Sequence, residues 1–273
     1  MSNKKPVSGL TLDVSLPRQP SSSFRKAIGA SEAATGSLPL THITDGYRFR
    51  SVIQTNSLDP TYCRVYEKPL LYFFYGRPSY RANQQAQSSS IEAYAPICFI
   101  IDPIFDFEIA GIYPFDSGAF HRQLLEGAFH HAMIKEDFAL DTDFTTPRRL
   151  VRLFFGDMDR YYMNRPRTDV SIPPMDYEVA SYYGLIKDEL KNDYDERISA
   201  IEIQTEKSMP LSDSVLAIII PDNFLVSQPV VDFIQKLNIE AIPYDYISRL
   251  RPEQYTSQIY SLVRAYYRKK GFL

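Results

Sequence analysis

The chain has no tryptophan, only 2 cysteines and only 11 glycines among its 273 residues. The two cysteines, Cys63 and Cys98, cannot build a disulfide framework and match no metal-knuckle spacing, which suits a reducing cytosol. No apolar run approaches the roughly 18 residues that a membrane span requires, so no membrane partner is expected. Lys4 and Lys5 are followed by no apolar core, which argues against a secretory signal and for a cytoplasmic protein. A formal net charge of -3 excludes a general polyanion-binding surface but leaves room for a local basic groove. What the chain has in quantity is aromatics, 20 tyrosines and 17 phenylalanines. Most must pack a core, for which the length is ample. Others could offer flat faces to a ring-bearing ligand.

Residues 1–36 are rich in Ser, Pro, Lys and small side chains and read as a flexible arm, with one strand at Leu10–Leu16. Residues 37–273 read as a single domain. Strands are predicted at Leu38–Thr44, Leu70–Tyr75 and Ile97–Ile101, with a short helix at Tyr47–Gln54. Helical spacing follows over Phe120–Ile134, Pro147–Asn164 and Met175–Leu190. Strands return at Ile198–Gln204 and Val215–Ile220, before a helix–strand–helix tail at Gln228–Leu237, Ile239–Ile242 and Pro252–Arg268. Strands at both ends with helices between them predict an α+β fold rather than an alternating α/β one.

Three segments carry candidate chemistry. In Leu40–Thr44, strand alternation puts His42 and Thr44 on one face, where imidazole and hydroxyl could hold one ligand; a hydrogen-bonded core histidine is the plainer reading. In Leu71–Arg81, an aromatic strand empties into Arg77 and Arg81, which suit phosphate oxygens or surface ion pairs. Gly76 and Pro78 flank Arg77 and argue for a fixed turn that aims it. In Ile198–Gln204, Glu202 is one acid within an apolar strand, either solvent-facing or the carboxylate that steers a ribose. Tyr72 and Tyr75 are both candidates to stack on a ring, and alternation lets only one same-face set do so.

In order and spacing these segments resemble the DarT-type branch of the ADP-ribosyltransferases. That branch opens with a His-x-Thr strand and a short helix. An aromatic Tyr-Phe-x-x-Arg segment follows, and a late catalytic glutamate precedes a hydrophobic-Pro-Leu step. The counterparts are His42 and Thr44, Phe73 or Phe74 with Arg77, and Glu202 with Met209-Pro210-Leu211, all within residues 38–220. Asp45 and Arg48 lie where the family has its usual His and Asn, a departure that bears on the substrate. The resemblance implies an ADP-ribosyltransferase-like split β-sandwich with a helical insertion and a C-terminal helix. It implies NAD+ as substrate, Glu202 and Arg77 as catalytic residues, and His42, Thr44, Tyr72, Tyr75 and Arg81 as NAD+-binding residues. It also implies a toxin or defence effector, with an antitoxin or immunity partner.

The implied acceptor is DNA or RNA, with protein as the alternative. Arg148, Arg149 and Arg152 open a span that continues with Arg160, Arg165 and Arg167 and interleaves Phe154, Phe155, Tyr161 and Tyr162. Basic groups with aromatics between them are what single-strand binding uses; an arginine-bearing helix face neutralised by Asp157 and Asp159 explains the same residues. In the stretch from Tyr113 to Gly118, Asp116 or Ser117 reads as a helix cap before His121, and the stretch could instead be a loop over the pocket. Asp102, Asp106, Glu108, His121, His130 and His131 could supply metal ligands for a hydrolase, but in no known spacing. A silent interaction protein of the same shape is the remaining alternative.

Overall fold

The computed structural model describes residues 23–79, 92–122, 124–125, 127–187 and 199–273. In chain order the elements are α1 (Ser23–Ala30), β1 (Leu40–Asp45), α2 (Gly46–Thr55), β2 (Ser57–Leu58), β3 (Thr61–Cys63), β4 (Lys68–Tyr75), β5 (Pro96–Ile101) and β6 (Gly111–Tyr113). There follow α3 (Ser117–His121), α4 (Thr146–Phe154), α5 (Met158–Tyr162), α6 (Tyr177–Lys187), β7 (Glu202–Thr205), β8 (Met209–Pro210), β9 (Val215–Pro221), α7 (Gln228–Leu237), β10 (Glu240–Tyr244) and α8 (Thr256–Lys270). The expected strand at Leu10–Leu16 and the residue Arg81 lie outside the described residues.

The main sheet runs β10-β9-β5-β1-β4-β7-β6, with β3 added beside β4. Among the described strands only β10 and β9 pair in parallel; their crossover is α7, as a parallel connection requires. The fold is therefore mixed α+β, with α3 to α6 lying in sequence between β1–β6 and β7–β10. β5 is buried at every position, the pattern of a strand covered on both faces. Its partner β1 matches it over six residues, Leu40 to Asp45. On the other side β1 meets β4 only at Leu40↔Tyr75 and Thr41↔Phe74. The sheet thus divides into two halves joined by a short seam, and β4 continues into the second half against β7.

Three expectations change. Residues 23–30 of the supposed arm form α1, because Phe24 is fully buried and packs on Phe154 at 6.0 Å and Tyr182 at 5.1 Å. The helix expected over 120–134 stops after α3. Its helically spaced apolar residues collapse into an aromatic cluster, with Phe129 at 5.1 Å from Phe120 and 4.9 Å from Phe138, and Gly127 turns the chain at φ +90°. The helix expected over 147–164 breaks in two where Gly156 takes φ +91° and Asp157 caps α5 through Arg160 N–H at 2.8 Å.

Candidate functional site

Strand register decides which candidates share a surface. Thr41 pairs with Phe74, Phe74 with Glu202 and Glu202 with Tyr113, so these four form one row with side chains on one face. Tyr72 pairs with Gln204 and Gln204 with Gly111, a second row on that same face. His42, Phe73, Tyr75 and Ile203 alternate to the opposite face. His42 confirms this by its neighbours, the Phe73 ring at 5.9 Å and the Phe99 ring at 6.4 Å. Register therefore separates His42 and Thr44 from Glu202.

The surroundings of Glu202 are specific. The side chain is buried, and Oε1 accepts from Ser117 Oγ at 2.6 Å and from Gln204 Nε2 at 2.6 Å. Among the described residues Oε2 accepts only from Ser117 N–H, at 3.3 Å. Gln204 Nε2 also donates to Ser117 Oγ at 3.3 Å, closing a triangle. Ser117 is available for this because Asp116, not Ser117, caps α3, its carboxylate accepting from Ala119 N–H at 2.8 Å. Burial, with the charge of Asp116 added, pushes the Glu202 carboxyl up to about 8, against the downward pull of Ser117 and Gln204. The acid is thus poised near neutrality and no cation offsets it among the described residues.

Tyrosines surround this acid. Tyr113 faces it across the register, and Tyr66 packs on Tyr113 with ring centroids 6.1 Å apart. The Tyr66 hydroxyl is buried and makes no well-aligned hydrogen bond among the described residues, although the Ser117 and Tyr113 hydroxyls stand near it. A buried hydroxyl without a partner is costly and is the mark of a place where a ligand or water completes the bonding. Burial, with the Glu202 charge contributing, holds the hydroxyls of Tyr66 and Tyr72 above the ordinary tyrosine range, so both remain donors.

The other expected residues have structural partners. His42 Nδ1 donates to the Tyr72 carbonyl at 2.9 Å. That carbonyl lies just past the point where β1 and β4 stop pairing, so the imidazole supplies a donor the backbone no longer offers. Burial lowers the His42 pKa and keeps the ring neutral, with the bond to Tyr72 opposing. Thr44 is buried opposite Ile97. Tyr75 is buried at the seam, its hydroxyl accepting from Leu38 N–H at 3.0 Å and lying 3.7 Å from Met158 Sδ. Arg77, 1% exposed, donates to Ser199 Oγ at 2.6 Å and lies 5.6 Å from the Tyr161 ring. Gly76 does set its turn, at φ +69°. The guanidinium is aimed into the protein rather than out to a phosphate.

The arginine-rich span does not present a stacking platform. Phe154, Phe155, Tyr161 and Tyr162 are buried. Arg148 Nε donates to the Ala34 carbonyl at 3.0 Å, and Arg160 to the carbonyls of Arg165 and Pro166 at 3.2 and 2.8 Å. Arg152 is exposed and Arg149 half-buried. Among the described residues no three His, Cys, Asp or Glu side chains form a metal-sized group, and no helix is long and apolar enough to cross a membrane.

No protein-family model, no curated protein and no solved structure matches the chain. The site therefore stands on its own geometry. Sequence reasoning reached Glu202 and Tyr72 but missed Ser117 and Gln204 as its holders. Gln204 was within reach, since i+2 in a strand shares a face. Tyr66 had no local signal, whereas Tyr113 lies in the stretch read as a cap or a loop over the pocket.

Proposed function

We propose that this chain is an NAD+-dependent ADP-ribosyltransferase acting on a macromolecular acceptor, with Glu202 as its catalytic carboxylate. The observation that carries this reading is a buried acid with no offsetting cation among the described residues, clamped by Ser117 and Gln204 near a buried tyrosine hydroxyl that makes no well-aligned hydrogen bond among them. Such a group suits a reaction that develops positive charge. The bond from the nicotinamide nitrogen to ribose C1′ breaks, nicotinamide leaves with the electron pair, and C1′ passes through an oxocarbenium-like state before the acceptor's nucleophile attacks. An ionised Glu202 stabilises that cation and accepts from a ribose hydroxyl, most directly through Oε2, the less occupied oxygen. Tyr72 offers a ring on the same face. A split β-sandwich of the ADP-ribosyltransferase type is the finer fold that this reading assigns to the mixed sheet. Nucleic acid is the favoured acceptor, with the α4 arginines Arg149 and Arg152 as surface contacts, and protein the alternative. A toxin or defence role with an antitoxin partner accompanies this reading.

One observation favours a second reading, a catalytically silent interaction protein of the same shape: His42 and Arg77 are built into the interior. Incubation with labelled NAD+ and separate pools of DNA, RNA and protein decides between them. Wild type should release nicotinamide and label one pool, and Glu202→Gln should lose at least about 100-fold of that activity, the scale of removing one electrostatic stabiliser. Absence of nicotinamide release from wild type in every pool would establish the silent reading instead.

A further inference from the structure

A feature that the chemistry above does not use is a cavity of about 560 Å³ lined by described residues between Phe120 and Glu136. We propose that it is a separate binding site for a small aromatic anion, a planar ring bearing a phosphate. Its floor is apolar and aromatic, made by Phe120, Phe129 and Met133. Phe120 and Phe129 meet edge to face at 5.1 Å, so the floor is rigidly packed. The volume lies in the range that small-molecule sites occupy.

The rim is rich in donors. His121, His130, His131 and Lys135 all line it. His130 Nδ1 accepts from Ala132 N–H at 3.2 Å, so the ring's hydrogen resides on Nε2, which donates. The rings of His130 and His131 lie 4.1 Å apart and offer adjacent N–H groups. Among the described lining residues the carboxylate is that of Glu136, which pairs with Lys135, its side chain 56% exposed against 20% for the lysine. Aromatic floor and donor rim together select a ring carrying negative charge, since either feature alone would favour a neutral ring or a bare anion.

The cavity adjoins the Glu202 site without being part of it. Ser117 on α3 holds Glu202, while Phe120 and His121 of the same helix line the cavity. Lys135 lies 4.4 Å over the ring of Tyr66, whose hydroxyl in turn feels the charge of Glu202. Occupancy of the cavity is therefore placed to be sensed by Tyr66. This assignment does not depend on what Glu202 does.

Titration calorimetry on the full chain tests it, with phenyl phosphate, inorganic phosphate and phenol as probes. Phenyl phosphate should bind one per chain and at least about 10-fold more tightly than either fragment, because both halves of the site are then used. Lys135→Glu should weaken it at least about 10-fold, and His131→Ala, at an exposed position, several-fold. Both substitutions leave the aromatic floor in place, and circular dichroism checks their fold. Phenyl phosphate binding no tighter than inorganic phosphate, or unchanged in folded Lys135→Glu, would overturn the assignment.

Discussion

A carboxyl group pushed up to about 8 by burial links the stability of this protein to pH through one residue. Glu202 binds its proton more tightly in the folded chain than in the unfolded one, where its ordinary value is 4.5. Its contribution to stability is fully present below about 4.5 and is lost as pH rises through about 8. Wild type should therefore lose thermal stability between pH 5 and 9, and Glu202→Gln, which cannot ionise, should show a flatter profile. Differential scanning calorimetry reads the difference, and parallel profiles would remove Glu202 as the linked group. Catalysis has the opposite sign. If the ionised acid stabilises the ribosyl cation, nicotinamide release should rise with pH and level off above about 8. The residue needed no motif to be singled out, because one acid in an apolar strand is conspicuous. Its holder Ser117 lies 85 positions away in the chain, and only folding brings the hydroxyl to Oε1.

At the scale of elements, α1 and the seam between β1 and β4 are the parts the sequence described least well. The segment Ser23–Ala30 has composition typical of an arm, yet it buries Phe24 and Ile28, with Phe24 packed on Phe154 and Tyr182 of the helical layer. Phe24→Ala should cost about 3–5 kcal/mol in a urea titration, the range for deleting a fully buried aromatic side chain; a cost below about 1 kcal/mol would show α1 to be peripheral. The seam has the reverse history. Its strands were readable from apolar runs, but their two-residue overlap depends on where Gly76 turns the chain and on His42 filling the ladder beyond it. A histidine in a strand thus becomes a backbone substitute, a role that residue type alone does not announce. Helix breaks at Gly127 and Gly156 were missed because apolar spacing was satisfied by cluster packing as well as by helical turns.

For the whole molecule, the net charge of -3 and the buried aromatics of the arginine-rich span argue against a broad nucleic-acid face. Acceptor recognition under the proposed function then falls to local contacts near Arg149 and Arg152. NAD+ itself should bind the folded chain alone and stabilise it by about 2.7 kcal/mol at 100 times its Kd. A thermal shift assay reads this as a rise of several degrees, and Glu202→Gln should retain most of it if that residue acts on the transition state rather than on binding. No shift at millimolar NAD+ would leave the dinucleotide without a site.

By itself the sequence determined a mixed α+β chain with no membrane-length helix, most of its strand positions, and one acid worth watching. These follow from local periodicity and composition, which physics reads over a few residues at a time. The face to which each side chain turned was settled only in the tertiary structure. One step of register moves a whole strand's side chains from one side of a sheet to the other, and that step depends on partners far away in the chain. Hence His42 and Glu202, two residues that the sequence alone could equally well place together, are separated by the thickness of a sheet. Ser117, Gln204 and Tyr66, which no local pattern joined, gather around one carboxylate because β4, β6 and β7 lie side by side.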